Sequence, residues 1–363
     1  MNKKFKPSHQ SYIIMKLYFI IATIIISLVA CTNQEAIEQK KAELPKYKVS
    51  KEEAKLWLQS NRLFKALPVA DIDSTEENTA RLKLGKLLYY DTRLSKNNNI
   101  SCNSCHNLNK FGVDNEPTSP GTDGVRGGRN SPTSLNAYLH FVQFWDGRAK
   151  DVEAQAQGPI LNPIEMGIAH KGMAIEKVSD VPYYNSLYAK AYPGEKMTYE
   201  NLTASIGYFE RTLVTPSRFD KFLANDFEAL TIEEKEGLKI FVETGCQSCH
   251  MGVTLGGSMY EKFGKYDDYW KHTGSKKIDA GVYDLTKNES DRYKFKVPSL
   301  RNVAKTQPYF HDGSVSDLKS AVKIMAKVQL NKELSDKDAT LIVKFLESLT
   351  GEVPKEAAKV EKI

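Results

Sequence analysis

Cysteine is scarce in this 363-residue chain, which has five. Four fall in two copies of one pentapeptide, Cys102-x-x-Cys105-His106 and Cys246-x-x-Cys249-His250, and the fifth is Cys31. No cysteine is left over for a structural disulfide. An excess of charge is also missing. The chain is formally +6, but the first thirty residues hold four lysines and no acid; without them 47 basic residues face 45 acidic ones, a net +2. No basic patch of the kind nucleic-acid binding needs is present. Long alternating strand patterns are absent, which argues against a sheet-built fold. The one long apolar run, from Leu17 to Ala30, is short for a membrane span.

What that run does fit is a secretory leader: Lys3, Lys4, Lys6 and Lys16 precede or open it, and it ends in Leu28-Val29-Ala30-Cys31, a lipobox pattern. Residues 1–30 are therefore expected to be a lipoprotein signal peptide, with Cys31 carrying lipid and the body exported to the periplasm, held at a membrane. Met15 offers a second possible start, and an uncleaved anchor helix is the alternative. Residues 31–50, rich in Glu and Lys, read as a tether.

Helical patterning follows. Ser74 or Thr75 caps a helix with acids in its first turn. Leu202, Ile206, Phe209 and Leu213 share a helical face. Thr231 and Glu234 form a capping box, and Gly245 is the matching C-terminal stop. Leu341, Phe345 and Leu349 fall one turn apart between Ser335 and Gly351. Long Gly-, Pro- and Asn-rich loops lie between the helices, chiefly at 110–136 and 251–300, as if the chain wraps something other than its own side chains. The second half runs helix, motif, long loop, a helix bearing Met325, final helix, which is the order of a small cytochrome c; the first half has no evident counterpart of Met325.

Cys-x-x-Cys-His is the c-type haem attachment site: two thiols form thioethers and the His becomes an axial ligand. A zinc site would need the two pairs together, yet they lie 144 residues apart. A thioredoxin-type pair leaves the His and the duplication unexplained. Two covalent haems are expected. Met325 shares a helical stripe with Leu318, Ala321 and Val322 and is either a core residue or the second ligand that would give the His250 haem a high potential; the haem at His106, with no such partner in sight, would have an open position suited to a small oxidant.

Several longer segments carry a resemblance. "PTSPGTDGVRGGRNSPTSLNAYLHFVQFWDGRAKDVEAQAQGPILNPIEMG", "GYFERTLVTPSRFD", "GLKIFVETGCQSCHMGVTLGG" and "PSLRNVAKTQPYFHDGSVSDLKSAVKIM" resemble the bacterial di-haem cytochrome c peroxidases over about residues 79 to 350. The resemblance implies a mostly α fold of two cytochrome c-like helical domains, each wrapped around one covalently attached haem: 51–215 peroxidatic, 216–350 electron-transferring, with 351–363 a tail. It implies reduction of hydrogen peroxide to water with electrons from a small cytochrome c or a cupredoxin, and a homodimer. It implies that Trp145 lies between the haems, that Glu165 is the acid-base residue with Gln155 its polar neighbour, and that Asn130 and the carbonyls of Thr306 and Pro308 hold calcium. His311 is expected at a haem propionate or at the domain contact, with direct ligation the lesser alternative.

Two readings compete with peroxidase activity. One is a related di-haem oxygenase that modifies a partner protein, where a Tyr stands at the position of Met325. The other is a plain electron-transfer cytochrome. One departure from the family pattern is visible: many members carry a His, in the loop matching "SPGTDG", that caps the peroxidatic iron, and here that position is Thr122, followed by Asp123. His140 is the remaining candidate cap, against a simple core role.

Overall fold

The computed structural model describes residues 48–70 and 72–361. The leader, Cys31 and most of the tether lie outside the described residues. The structure is mostly helical. Ten helices of six or more residues are named here: α1 Lys51–Leu63, α2 Glu76–Tyr90, α3 Val152–Leu161, α4 Lys171–Ser179, α5 Pro182–Ala191, α6 Tyr199–Glu210, α7 Arg218–Leu223, α8 Ile232–Thr244, α9 Leu318–Leu330 and α10 Asp336–Ser348. Two three-residue strands, β1 Tyr260–Lys262 and β2 Lys294–Lys296, pair antiparallel with Glu261 opposite Phe295.

The caps act where the side-chain chemistry places them. Thr75 accepts from the Asn78 N–H at the start of α2. The Thr231–Glu234 box opens α8, and Gly245, at φ 103°, closes it in the left-handed conformation that a side chain disfavours. Ser335 caps α10.

Each half has a tight helix crossing. In the first, α6 lies between α2 and α3 and α5 covers α2; Leu202, Ile206, Phe209 and Leu213 are all buried there. In the second, α8 crosses α10, with α9 against α10. One glycine permits each close approach: a Cβ on Gly85 would stand 1.8 Å from the Ser205 carbonyl oxygen, and one on Gly237 would stand 1.9 Å from that of Leu341. The second contact shifts the expected face of α10. Leu341 meets Gly237 through its backbone and is only half-buried, while Ile342, Phe345 and Leu346 fill the core.

Packing crosses residue 215 in both directions. Helix α1 rests on α7; Trp57 Nε1 donates to the Leu223 carbonyl (3.2 Å), and Lys235 pairs with Glu53 (2.6 Å). The tail returns to the first half, where Tyr90 Oη donates to the Ala357 carbonyl (2.9 Å) and Lys86 pairs with Glu361 (3.0 Å).

A repeat of 166 residues links the halves. Asn136 and Asn302, both left-handed (φ 60° and 61°), each donate from Nδ2 to Thr215 Oγ1 at 2.8 Å. Eight residues beyond each comes Phe-x-Asp-Gly, at 144–147 and 310–313, with positive φ at both Phe and both Gly. Trp145 and His311 occupy the same place in the two copies.

Candidate active site: two cavities at the Cys-x-x-Cys-His motifs

The two motifs open onto different cavities. Cys102, Cys105 and His106 line one of about 970 Å³; Cys246, Cys249 and His250 line another. The four thiols therefore do not meet at a single tetrahedral site. Burial pushes all of them upward, Cys105 to about 11 and Cys246 to about 12, so they stand as neutral thiols.

The histidines are set alike. His106 Nδ1 bonds the Pro132 carbonyl oxygen (2.9 Å), and His250 Nδ1 bonds that of Leu255 (3.0 Å). Each ring is fixed by that carbonyl with Nε2 left as the remaining ligand atom, an arrangement typical of metal-binding His. Burial lowers both, keeping the imidazoles neutral. Two thiols and an oriented neutral imidazole on a cavity wall fit a covalently held haem in each half.

The first cavity gathers Gln155 from α3, Glu165 from the turn after it, and Trp145. The Glu165 carboxylate accepts from Asn162 Nδ2 (2.9 Å). Burial raises its proton affinity, opposed by Arg148 and by that hydrogen bond. Arg148, Arg129 and Glu210, which the sequence did not single out, are among the charged residues on the wall. Arg148 and Arg129 both grip Asp146, at 3.0 and 2.5 Å, and Arg129 also holds Asp279 through two bonds. Glu210, 7 % exposed, is pushed to about 8 by burial and by Glu153. Its place beside the expected helical face at Phe209 was the available signal.

In the second cavity Met325 lines the wall with Leu318, Val322 and Gln329, one stripe of α9. These residues spaced three and four apart are less buried than a core stripe because they face the cavity.

Trp145 and His311 line both cavities. Their rings meet edge to face, centroids 6.4 Å apart at 76°. Trp145 Nε1 donates to the Asn130 carbonyl (2.9 Å), and Asn130 N–H to the His311 carbonyl (2.7 Å). His311 stacks on Phe295 at 4.4 Å, and neither of its buried ring nitrogens has a hydrogen-bond partner. Asn130 Nδ2 is committed to the Glu116 and Pro117 carbonyls (2.9 and 3.3 Å), which leaves Oδ1 for another partner. From the same first-half loop, Asn115 donates to the Gln307 carbonyl (2.9 Å), between Thr306 and Pro308.

Thr122, Asp123 and His140 are not on the wall of the His106 cavity. Thr122 Oγ1 donates to Asn99 Oδ1 (2.7 Å), its N–H donates to the Glu165 carbonyl, and Asp123 pairs with Lys96 (2.8 Å). His140 is packed under Gly257 and bonds Lys296. His140 is half-buried there and off the His106 cavity wall.

Duplicated haem-attachment motifs on a mostly helical frame define a di-haem c-type protein. A profile of the di-haem cytochrome c peroxidases matches residues 79–228. The chain is 46% identical to the cytochrome c551 peroxidase of Nitrosomonas europaea over 77% of this chain and 83% of that one, and 43% identical to that of Pseudomonas aeruginosa over 82% and 87%. A crystal structure of a MauG-like protein associated with microbial copper homeostasis is similar at TM-score 0.69 and 27% identity, covering 87% of this chain and 98% of that one. The chain belongs to the di-haem cytochrome c peroxidase family.

Proposed function

We propose that this protein reduces hydrogen peroxide to water at the His106 cavity, with one-electron donors such as a small cytochrome c or a cupredoxin delivering to the His250/Met325 cavity. Family membership supports the activity, and the observation that carries the division of labour is the unlike walls. One cavity has a thioether on the same wall as its His; the other has a half-buried carboxyl, Glu165, with Gln155 and two arginines. When bound, the haems supply an iron site that takes peroxide and a one-electron store. The chain's own residues do the rest. Glu165 accepts a proton from the nearer peroxide oxygen and returns it to the farther one, so that water departs rather than hydroxide. Its raised proton affinity suits both transfers. Gln155 orients the oxidant. Trp145, with His311 at its edge, forms the contact between the cavities through which electrons pass.

The fine architecture belongs to the same proposal: two cytochrome c-like domains at 51–215 and 216–350, with Asn130 Oδ1 and the Thr306 and Pro308 carbonyls as a calcium site. An oxygen-only donor set of this kind suits a hard cation. Lipidation at Cys31 would hold the protein at a membrane in the periplasm, as a homodimer. Met325 favours peroxidase over the oxygenase alternative. The test is peroxide-dependent oxidation of a reduced c-type cytochrome by the purified holoprotein. Electron exchange without peroxide consumption would leave only the electron-transfer cytochrome.

A further inference from the structure

Among the described residues, Lys296 is the sole Lys or Arg on the wall of the His250 cavity. It is 5 % exposed and comes from β2, where its N–H donates to the Trp145 carbonyl (2.8 Å). Its Nζ lies 3.1 Å from His140 Nδ1. Among the described residues it has no carboxylate partner. Asp146, the acid whose charge reaches it, is already held by Arg129 and Arg148. The acid on the same wall, Glu261, faces Cys249 (4.0 Å) and Lys265 (3.8 Å) instead. His140 packs closely against Gly257. A Cβ at Gly257 would stand 2.4 Å from its Cδ2, so only glycine admits the ring there, and its buried Nε2 has no partner.

A buried ammonium without an anion is strongly disfavoured. Burial brings Lys296 down to about 8, which still leaves it charged at neutral pH. Among the described residues none supplies an anion at this spot, so the anion comes with whatever fills the cavity. A haem held at Cys246 and Cys249 brings two carboxylates, its propionates. We propose that Lys296 is a positioning residue for the C-terminal haem: its ammonium, oriented by His140, pairs with a haem propionate and keeps a positive charge beside the His250/Met325 site. The pairing rests on the two-haem reading. It also ties the haem edge to the backbone of Trp145, the residue shared by both cavities. A nearby positive charge favours the reduced state, so Lys296 supports the high potential of this site along with Met325.

The experiment is a spectroelectrochemical titration of the full-length holoprotein and its K296Q and K296R variants, with covalent haem counted in each sample. At fixed poise, K296Q should lower the ferrous-to-ferric ratio of the high-potential haem at least tenfold, about 59 mV for a one-electron couple. K296R, which keeps the charge, should stay within about threefold of wild type, by the ordinary scale of charge-assisted pairing. A K296Q protein that loses the second haem while K296R retains it would support the pairing too. An unmoved potential in K296Q, equal shifts in both variants, or loss of the haem from both would overturn it, since each makes charge irrelevant. Fewer than two haems in the wild type would remove the underlying reading as well; two haems with an unmoved potential would remove only the role of Lys296.

Discussion

Glu165→Gln isolates a proton-transfer step with little else disturbed. Oε1 of Glu165 accepts a hydrogen bond from Asn162 Nδ2 (2.9 Å), and a glutamine carbonyl can accept the same bond. The loop should also hold, because the Glu165 backbone is tied to Asn162 and Thr122 through its own N–H and C=O. What is lost is a carboxyl whose proton affinity burial has raised. Removing a positioned acid-base group costs roughly 10²- to 10⁴-fold, or about 3 to 5 kcal/mol at 1.36 kcal/mol per tenfold. The assay is stopped-flow mixing of the half-reduced holoprotein with peroxide, following haem absorbance. The wild type should show an acid limb in its pH profile, displaced upward from an ordinary glutamate because the group must be deprotonated to accept a proton. That limb should vanish in the variant. A loss of less than about threefold, with the acid limb intact, would refute the assignment, because a true acid-base group cannot be removed so cheaply.

Met325→Ala should lower the ferrous-to-ferric ratio of one haem by more than about tenfold at fixed poise, since a thioether ligand favours ferrous iron; an unchanged high-potential wave would return Met325 to a packing role. Exhaustive chelation should alter the haem spectra and reduce activity, and Asn130→Ala should mimic it; indifference to both would remove the proposed calcium. Electron paramagnetic resonance of the fully ferric protein should show one high-spin haem, with peroxide reacting on first mixing, because neither Thr122 nor His140 lines the His106 cavity. Two low-spin haems, and a lag removed only by pre-reduction, would contradict an open site.

Most local structure was legible in the sequence. Thr75, Thr231 with Glu234, Gly245 and Ser335 mark helix ends through bonds that reach only a few residues, so chain order alone carries them. The haem-attachment motif is likewise local, since five consecutive residues hold the chemistry. The 166-residue repeat was also present in the letters, in two Asn-x7-Phe-x-Asp-Gly runs. It is faint there because the residue that is Trp in one copy is His in the other, and backbone conformation is the stronger common feature of the copies.

Other features depended on pairs distant in sequence. Chain order does not place α1 against α7 or the tail against α2, because long loops close at little extra entropic cost per residue and leave partner choice to packing. Periodicity put Leu341 in the core of α10, and the Gly237 contact rotated that face. Composition showed Lys296 and Glu210 only as ordinary polar residues, and His140 only as a candidate cap or core group. Tertiary burial removed their water and with it their usual proton affinities. The sequence by itself determined which residues form the two haem-attachment motifs and where helices begin and end, since these are patterns among neighbours along the chain. The tertiary structure alone decided which groups wall each cavity, that Trp145 and His311 meet between them, and that Thr122 and His140 stay off the wall, since burial and Coulombic fields act through space.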